Sequence, residues 1–372
     1  MHIIVCGAGE FGLEVARKFS EKGHNVSVID ESQEKIAFIV ENLDVFPLLG
    51  ACTNADNLIK AGIKKADLLL ATTEEDDTNV LVCALASKLT SCRKAARVRR
   101  LSLAGFHGAS FKEFGVDLAF HPEGLAIVDL INVMEAPGSF EVVQIPESDI
   151  AIRGFVVREE SYCQGKTLGD LKSEQKALNE VVFLSLLRDN QLVLPKPETA
   201  LREGDKVYVL AHEKDFPSVI KNFTFYFESI KTVFIAGVNH STDILVGSLL
   251  ERKYRVKLFE KDKARCQILA EKFPKLATIH GSGSDMDLLD EEGISSCDCF
   301  IAAGANDEVN LVACLVAKSF HVPVNIIFSD RSEHFPFIRS AGIDVIISPE
   351  LSAMGNVIAL TQENTLHKSL PG

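Results

Sequence analysis

The sequence predicts an α/β protein in which two doubly wound parallel-sheet domains flank a small α+β module. Three observations predict it. A strand, a glycine-led turn and a helix recur in the same order at a constant spacing of 230 residues. Around each copy, buried strands alternate with amphipathic helices, as parallel pairing requires. Between the copies the pattern changes to short strands separated by turn signals.

The first copy opens with Ile3-Ile4-Val5-Cys6, a short buried strand that runs into Gly7-Ala8-Gly9-Glu10-Phe11-Gly12. An amphipathic helix is expected from Gly12 to Glu21, with Gly23 at its C-terminal cap. Asn25 to Ile29 forms a second strand, and Asp30 ends it. Leu68-Leu69-Leu70-Ala71 reads as a further buried strand. Thr72-Thr73-Glu74-Glu75-Asp76-Asp77 follows, then a helix from about Thr78 to Leu89.

The second copy runs from Val233-Phe234-Ile235-Ala236 through Gly237-Val238-Asn239-His240-Ser241-Thr242 to Glu260. Gly50, Gly62, Asp67 and Asn79 return as Gly281, Gly293, Asp298 and Asn310, each 231 residues later. Gly115-Val116-Asp117 and Pro122-Glu123 return as Gly342-Ile343-Asp344 and Pro349-Glu350. So many matches in order mark a duplication.

Between the copies, Ala136-Pro137-Gly138-Ser139 breaks the alternation. Strands are expected at Phe140–Ile145, Val181–Arg188, Leu192–Leu194 and Lys206–Ala211. Turn signals stand at Asp189-Asn190 and Glu203-Gly204-Asp205, and one helix at about Thr167–Ser173. An aromatic run with Phe223, Phe225, Tyr226 and Phe227 leads to the second copy as a cross-over helix or strand that buries its rings. A helix from Leu351 to Thr361 precedes a polar tail. The expected domains are 1–136, 140–222 and 229–362.

Composition narrows the function. The chain has 372 residues, 47% apolar and 24% charged, which is ordinary for a globular protein. Its net charge of -13 argues against nucleic acid as partner, and leaves room for a basic one such as the cytoplasmic loops of a membrane protein. No apolar run approaches the about eighteen residues of a membrane span, and the N-terminus has no signal-peptide pattern. A cytosolic protein is expected. Nine cysteines without a CxxC pair fit a reducing compartment. Cys6, Cys83 and Cys314 read as core side chains, and Cys297 with Cys299 is the only close pair. Strand alternation argues against a metal there.

The glycine turn carries chemistry. Gly7 permits the tight turn, Gly9 lets a diphosphate approach the backbone, and Gly12 allows close helix–strand packing. With Ala8, Glu10 and Phe11 these residues bring helix amides to an anion. Asp30 stands eighteen residues beyond Gly12, where a carboxylate takes ribose hydroxyls and repels a 2′-phosphate. NAD(H) is therefore favoured over NADP(H); an adenine nucleotide also fits. Thr72 and Thr73 are expected to pack against the base and ribose.

Glu74 to Asp77 reads as a charged helix start. Arg97 and Arg99 share a face if their segment is a strand, where they meet phosphates or a neighbouring subunit, or form surface ion pairs. In the second copy Gly237 persists, but Asn239 and Thr242 narrow the pyrophosphate space. Asn239 is expected to need a glycine-like conformation, while Glu260 keeps a ribose contact. His121 and His240 stand isolated, and no catalytic constellation or metal cluster is evident. A sensor of nucleotide fits this pattern better than an NAD-dependent oxidoreductase.

These residues, with Ala61-Gly62-Ile63, Ala96-Arg97-Val98-Arg99, Ser348-Pro349-Glu350 and Leu201 to Val207, resemble the TrkA family, the cytosolic regulatory subunits of Trk-type potassium uptake systems. The resemblance spans almost the whole chain. It implies Rossmann-like RCK domains around a small RCK C-terminal-type module, binding NAD(H) or ATP/ADP without catalysis. It implies a homo-oligomer, dimer or tetramer, held at the inner face of the membrane by a TrkH-like potassium-translocating subunit. Asp30 and the three glycines carry over as nucleotide contacts, and Arg97 and Arg99 match positions near phosphates or a subunit junction. Many relatives close with a second small module, which is not found here. The gating module of another ion channel or antiporter is the alternative within the same class.

Overall fold

The computed structural model describes residues 1–99, 111–136, 138–145, 148–189, 191–223, 230–343, 345–355 and 357–358. Arg100, Pro137, Asn190, Phe225, Tyr226, Phe227 and Asp344 lie outside them, as does the chain beyond 358. The described chain divides into two compact units, one of Met1–Ala126 with the segment from Ser348 onward, the other of Ile127–Ile347.

The first unit runs β1 (His2–Cys6), α1 (Glu10–Glu21), β2 (Asn25–Asp30), α2 (Gln33–Asn42), β3 (Phe46–Leu49), α3 (Ala55–Lys60), β4 (Leu68–Ala71), α4 (Asp76–Leu89), β5 (Arg93–Arg97) and β6 (Leu118–Phe120). The helix α5 (Pro122–Glu135) begins in this unit and continues past its boundary. The sheet order is β3-β2-β1-β4-β5-β6, all parallel, so the order reverses beside β1. Ligands of such sheets bind at the carboxyl ends of the strands at that reversal.

Alternation along β1 builds two core layers. Ile3 and Val5 pack with Phe11, Val15 and Phe19 of α1 on one face. Ile4 and Cys6 pack with Leu58, Val82 and Ala86 on the other. Ala353, Met354 and Val357 also enter the first layer. They come from the last helix, 349–358 apart from position 356, which follows the second sheet in the chain yet belongs to the first unit.

In the second unit a five-stranded antiparallel sheet comes first: β7 (Ser139–Gln144), β8 (Ile150–Val156), β9 (Val182–Arg188), β10 (Gln191–Val193) and β11 (Lys206–His212), ordered β10-β9-β11-β8-β7. The helix α6 (Leu168–Glu174) is capped by Thr167, whose side chain accepts the Asp170 amide. A short α7 (Phe216–Ile220) follows β11. The strand β8 escapes the sequence reading because Arg153-Gly154 resembles a break. Arg153 is instead buried, stacked 4.0 Å over Phe216 and paired with Glu213. Gly154 makes room for Phe140, whose ring would lie 2.6 Å from a Cβ there.

The second parallel sheet comprises β12 (Thr232–Ala236), α8 (Thr242–Glu251), β13 (Arg255–Glu260), α9 (Lys263–Lys272), β14 (Ala277–His280), α10 (Met286–Glu291), β15 (Cys299–Ala302), α11 (Asp307–Ser319), β16 (Val324–Phe328), α12 (Phe335–Ser340) and β17 (Val345–Ile347). Its order, β14-β13-β12-β15-β16-β17, reproduces the first. All nine cysteines are buried and free. Burial pushes the Cys83, Cys163, Cys297 and Cys314 thiols up to about 12, so these act as small core side chains at neutral pH.

Paired polar side chains close both sheets. Asp67 accepts the His2 amide at 2.8 Å, and Asp298 accepts the Thr232 amide at 2.8 Å. Asn79 accepts the Thr73 amide at 2.8 Å and donates to the Thr73 and Arg97 carbonyls, both at 2.9 Å. Asn310 does the same for Gly304 and Phe328. Each asparagine thus ties a central strand's end to its neighbour's. Asn79→Ala leaves buried backbone groups unsatisfied and should destabilise the first unit by about 2–4 kcal/mol. Urea unfolding followed by a probe in that unit checks this; a loss below about 0.5 kcal/mol would show that the clamp is dispensable.

Candidate functional site

The candidate site lies where β1 ends. Gly7 has φ +106°, and a Cβ there would stand 2.8 Å from the Thr73 nitrogen. Gly12 is tighter still: its Cβ would meet the Gly7 carbonyl oxygen at 2.0 Å and Thr72 Oγ1 at 2.9 Å. Gly9 differs from both. It has an extended backbone, φ -72° and ψ 178°, and nothing lies within 4 Å of the Cβ it lacks. Gly7 and Gly12 therefore serve the fold, while Gly9 keeps open the space in front of the turn.

The helix α1 starts at Glu10, two residues before the expected Gly12, with Gly9 as its cap. A glycine cap brings no side chain to the leading amides, so they remain available to an anion, which the helix dipole also favours. Asp30 sets the turn. Its Oδ2 accepts the Ala8 amide at 2.6 Å, and its Oδ1 accepts the Ser32 amide at 2.8 Å. Each carboxylate oxygen retains a lone pair for a further donor, such as a ribose hydroxyl.

Thr72 and Thr73 border the turn, but their hydroxyls point into protein. Thr72 Oγ1 lies 3.1 Å from the Cys6 carbonyl and 3.0 Å from that of Gly7. Thr73 Oγ1 donates to Asn79 Oδ1 at 2.7 Å. What they offer a ligand is backbone and methyl surface.

Arg97 and Arg99 converge on Glu123 in the first turn of α5. Arg97 Nη2 donates to Glu123 Oε1 at 3.1 Å, and Arg99 Nε lies 3.4 Å from the same oxygen. The Arg97 pair is buried, unlike the surface ion pair that sequence allowed. Arg97 Nε, Arg99 Nε and Glu123 Oε2 have no hydrogen-bond partner. The two guanidinium Nε–H groups are donors that suit an anionic group, whereas the Glu123 oxygen is an acceptor. His121 braces the cluster: Nε2 binds the Arg99 carbonyl at 2.8 Å, and Nδ1 accepts the Gly124 amide at 2.6 Å. Asp76 is buried and accepts the Arg99 amide at 2.9 Å. Sequence reasoning passed over Glu123 and Asn79 as site residues, although both recur in the second copy.

The second turn is built differently. Gly237 keeps its positive φ, +85°, with a Cβ position only 2.6 Å from Gly304 Cα. Asn239 does not take a glycine-like conformation, because the positive φ falls on Gly237 alone among the turn residues. The obstruction is hydrogen bonding. Thr242 Oγ1 accepts the Asn239 amide and Asn239 Oδ1 accepts the Ser241 amide, both at 2.8 Å. The helix α8 starts only at Thr242, and the Asn239 and Ser241 amides, which match those of Gly9 and Phe11, are here taken up by side chains. Glu260 accepts the Asp262 amide at 2.8 Å, as Asp30 does from Ser32.

The two kinds of glycine separate by substitution. Gly12→Ala should destabilise the first unit by at least about 2 kcal/mol, since backbone must move to admit the methyl. Gly9→Ala should stay within about 0.5 kcal/mol. Equal losses in urea unfolding would contradict these assignments.

Comparison with known proteins agrees with this architecture. The TrkA-N domain family matches residues 3–122 and again 233–349, and the TrkA-C domain family matches 152–224. The Trk system potassium uptake protein trkA homolog 1 of Methanosarcina mazei is 28% identical over 97% of this chain and 89% of its own length. The Trk system potassium uptake protein TrkA of Halomonas elongata is 26% identical over 96% of this chain and 78% of its own. Among solved structures, the GsuK channel bound to NAD superposes with a TM-score of 0.71 at 16% identity, covering 98% of this chain and 64% of that one. With two TrkA-N domains around one TrkA-C domain, the chain belongs to the TrkA family.

Proposed function

We propose that the chain is a non-catalytic regulatory subunit of a Trk-type potassium uptake system, and that NAD(H) bound at the first glycine turn is its signal. The observation that carries this reading is the contrast between the turns. One leaves helix amides and the space before Gly9 open, beside an aspartate suited to an unphosphorylated ribose. The other closes its own amides with Asn239 and Thr242. The diphosphate would rest on the amides of Gly9, Glu10 and Phe11, and Asp30 would hold the ribose next to the adenine. ATP or ADP shares the adenosine and phosphate chemistry and is the competing ligand. In the proposed division, residues 1–136 bind the nucleotide, 140–222 form the small module, and the second, nucleotide-free domain, expected at 229–362, ends by 347, because the segment from Ser348 belongs to the first unit.

In this reading the bound nucleotide is sensed and no hydride is transferred. Among the described residues no helix is long and apolar enough to cross a membrane. Potassium would therefore pass through a separate membrane subunit, to whose basic cytoplasmic loops this acidic chain is suited. The chain would sit at the inner face of the membrane as a dimer or tetramer. Phosphate binding that draws on Arg97 or Arg99 would compete with Glu123 and so alter how the start of α5 is held. A ligand shifts such an equilibrium only by its differential affinity for the two arrangements.

Thermal unfolding with NAD+, NADH, ATP and ADP tests the proposal. A ligand at a hundred times its Kd adds about 2.7 kcal/mol of stability, so the melting temperature should rise with NAD+ or NADH. Gly9→Val, whose Cβ enters space free of protein atoms, should lose the shift while still melting cooperatively, at a cost of about 1 kcal/mol for the poorer helix cap. Asp30→Ala should weaken the response to NAD+ and reduce its advantage over NADP+. A chain whose melting responds to none of these nucleotides would overturn the proposal.

A further inference from the structure

The end of the second parallel sheet opposite its glycine turn carries a groove with an unexpected charge. Two adjoining hollows, of about 780 and 590 Å3, share Lys253, Tyr254 and Arg255. Lys231 and Arg252 line the first and Lys275 the second. Volumes of this order are those of small-molecule sites. Two nearby acids are already engaged: Glu135 pairs with Arg252 at 3.1 Å, and Glu292 with Lys257 at 2.7 Å. Lys231, Lys253, Arg255 and Lys275 make no ion pair among the described residues. Arg255 Nη2 donates to Thr232 Oγ1 at 2.8 Å, which orients its guanidinium at the strand edge. In a chain of net charge -13, four uncompensated cations across two adjoining hollows need a cause.

The duplication shows that the fold does not require them. At a spacing of 230 residues, Lys231, Lys253 and Arg255 correspond to Met1, Gly23 and Asn25, and Lys275 falls opposite Asp44 or Val45, where the spacing passes from 230 to 231; neither is basic. The helix dipole accounts for cations just beyond the C-terminus of α8, namely Arg252 and Lys253, but not for Lys231, Arg255 or Lys275. Lys253 is the sharpest case. It follows the helix cap with φ +65°, where the first copy has Gly23 at φ +78°. The same capping bonds form in both copies: the Lys253 amide donates to the Leu250 carbonyl, and the Gly23 amide to that of Ser20. A left-handed backbone favours glycine, so lysine here is held at a conformational disadvantage.

We propose that this groove binds a soluble small molecule carrying two or more phosphate groups. Several phosphates match the four cations, whereas one carboxylate would leave most of them unanswered. Arg255 supplies the planar fork that grips a phosphate, and the lysines supply adaptable point charges. The two hollows adjoin and are open to solvent, so a soluble anion with several phosphates can reach the cations of both. This site is separate from the first glycine turn and does not depend on nucleotide binding there.

The test uses inorganic tripolyphosphate as probe in calorimetric titrations of full-length Gly9→Val protein, in which the first turn is closed to phosphate. The same titration is made with Lys253→Gly and Arg255→Asn added, residues the first copy holds at these places. Binding should weaken as salt rises and fall at least about tenfold in the added variant, whose melting temperature should not drop. Absence of tripolyphosphate binding would overturn the proposal, as would an affinity unchanged by the two substitutions. So would retention on phosphatidylglycerol vesicles through the same residues without binding of tripolyphosphate.

Discussion

No side chain fits at position 12, because a Cβ there would overlap the Gly7 carbonyl oxygen at 2.0 Å. That contact lets α1 begin at Glu10 and bring its leading amides to the end of β1. The second copy has Thr242 at the matching place. There the helix starts two residues later in register, and the threonine hydroxyl takes up the Asn239 amide. Two otherwise matching sheets therefore present opposite surfaces to an anion. One offers unspent donors, and the other spends its Asn239 and Ser241 amides on its own side chains.

The rest of the first site is organised to hold that turn still. Asp30 joins the end of β2 to the Ala8 amide, and Asn79 joins the ends of β4 and β5. Thr72 caps the carbonyls of Cys6 and Gly7. Buried polar side chains that satisfy backbone groups at strand ends are costly to disturb, and they fix the loops on a rigid sheet. Glu123 extends this order to the first turn of α5 through Arg97 and Arg99. A ligand competing for those guanidinium groups would act on the start of that helix.

Much of this was legible in the sequence. The glycine turn, the strand alternation and the repeat spacing are local patterns, and they located both parallel sheets and the turn between β1 and α1. The helix Gln33–Asn42 and the strand Phe46–Leu49 were passed over, the latter because Pro47 interrupts a short run. The strand Ile150–Val156 was hidden by a buried arginine whose partners lie elsewhere in the chain. The conformation of Asn239 was misjudged because the turn's strain falls on Gly237. Tertiary facts left no local trace. That Ala353 and Met354 pack with β1, or that Glu123 receives two arginines, depends on segments far apart in sequence.

The central claim is that the duplicated fold contains one working nucleotide site. Equilibrium dialysis of NAD+ against the full chain, at saturating ligand, tests this most directly. One NAD+ per chain is expected. Two per chain, or none, would contradict it.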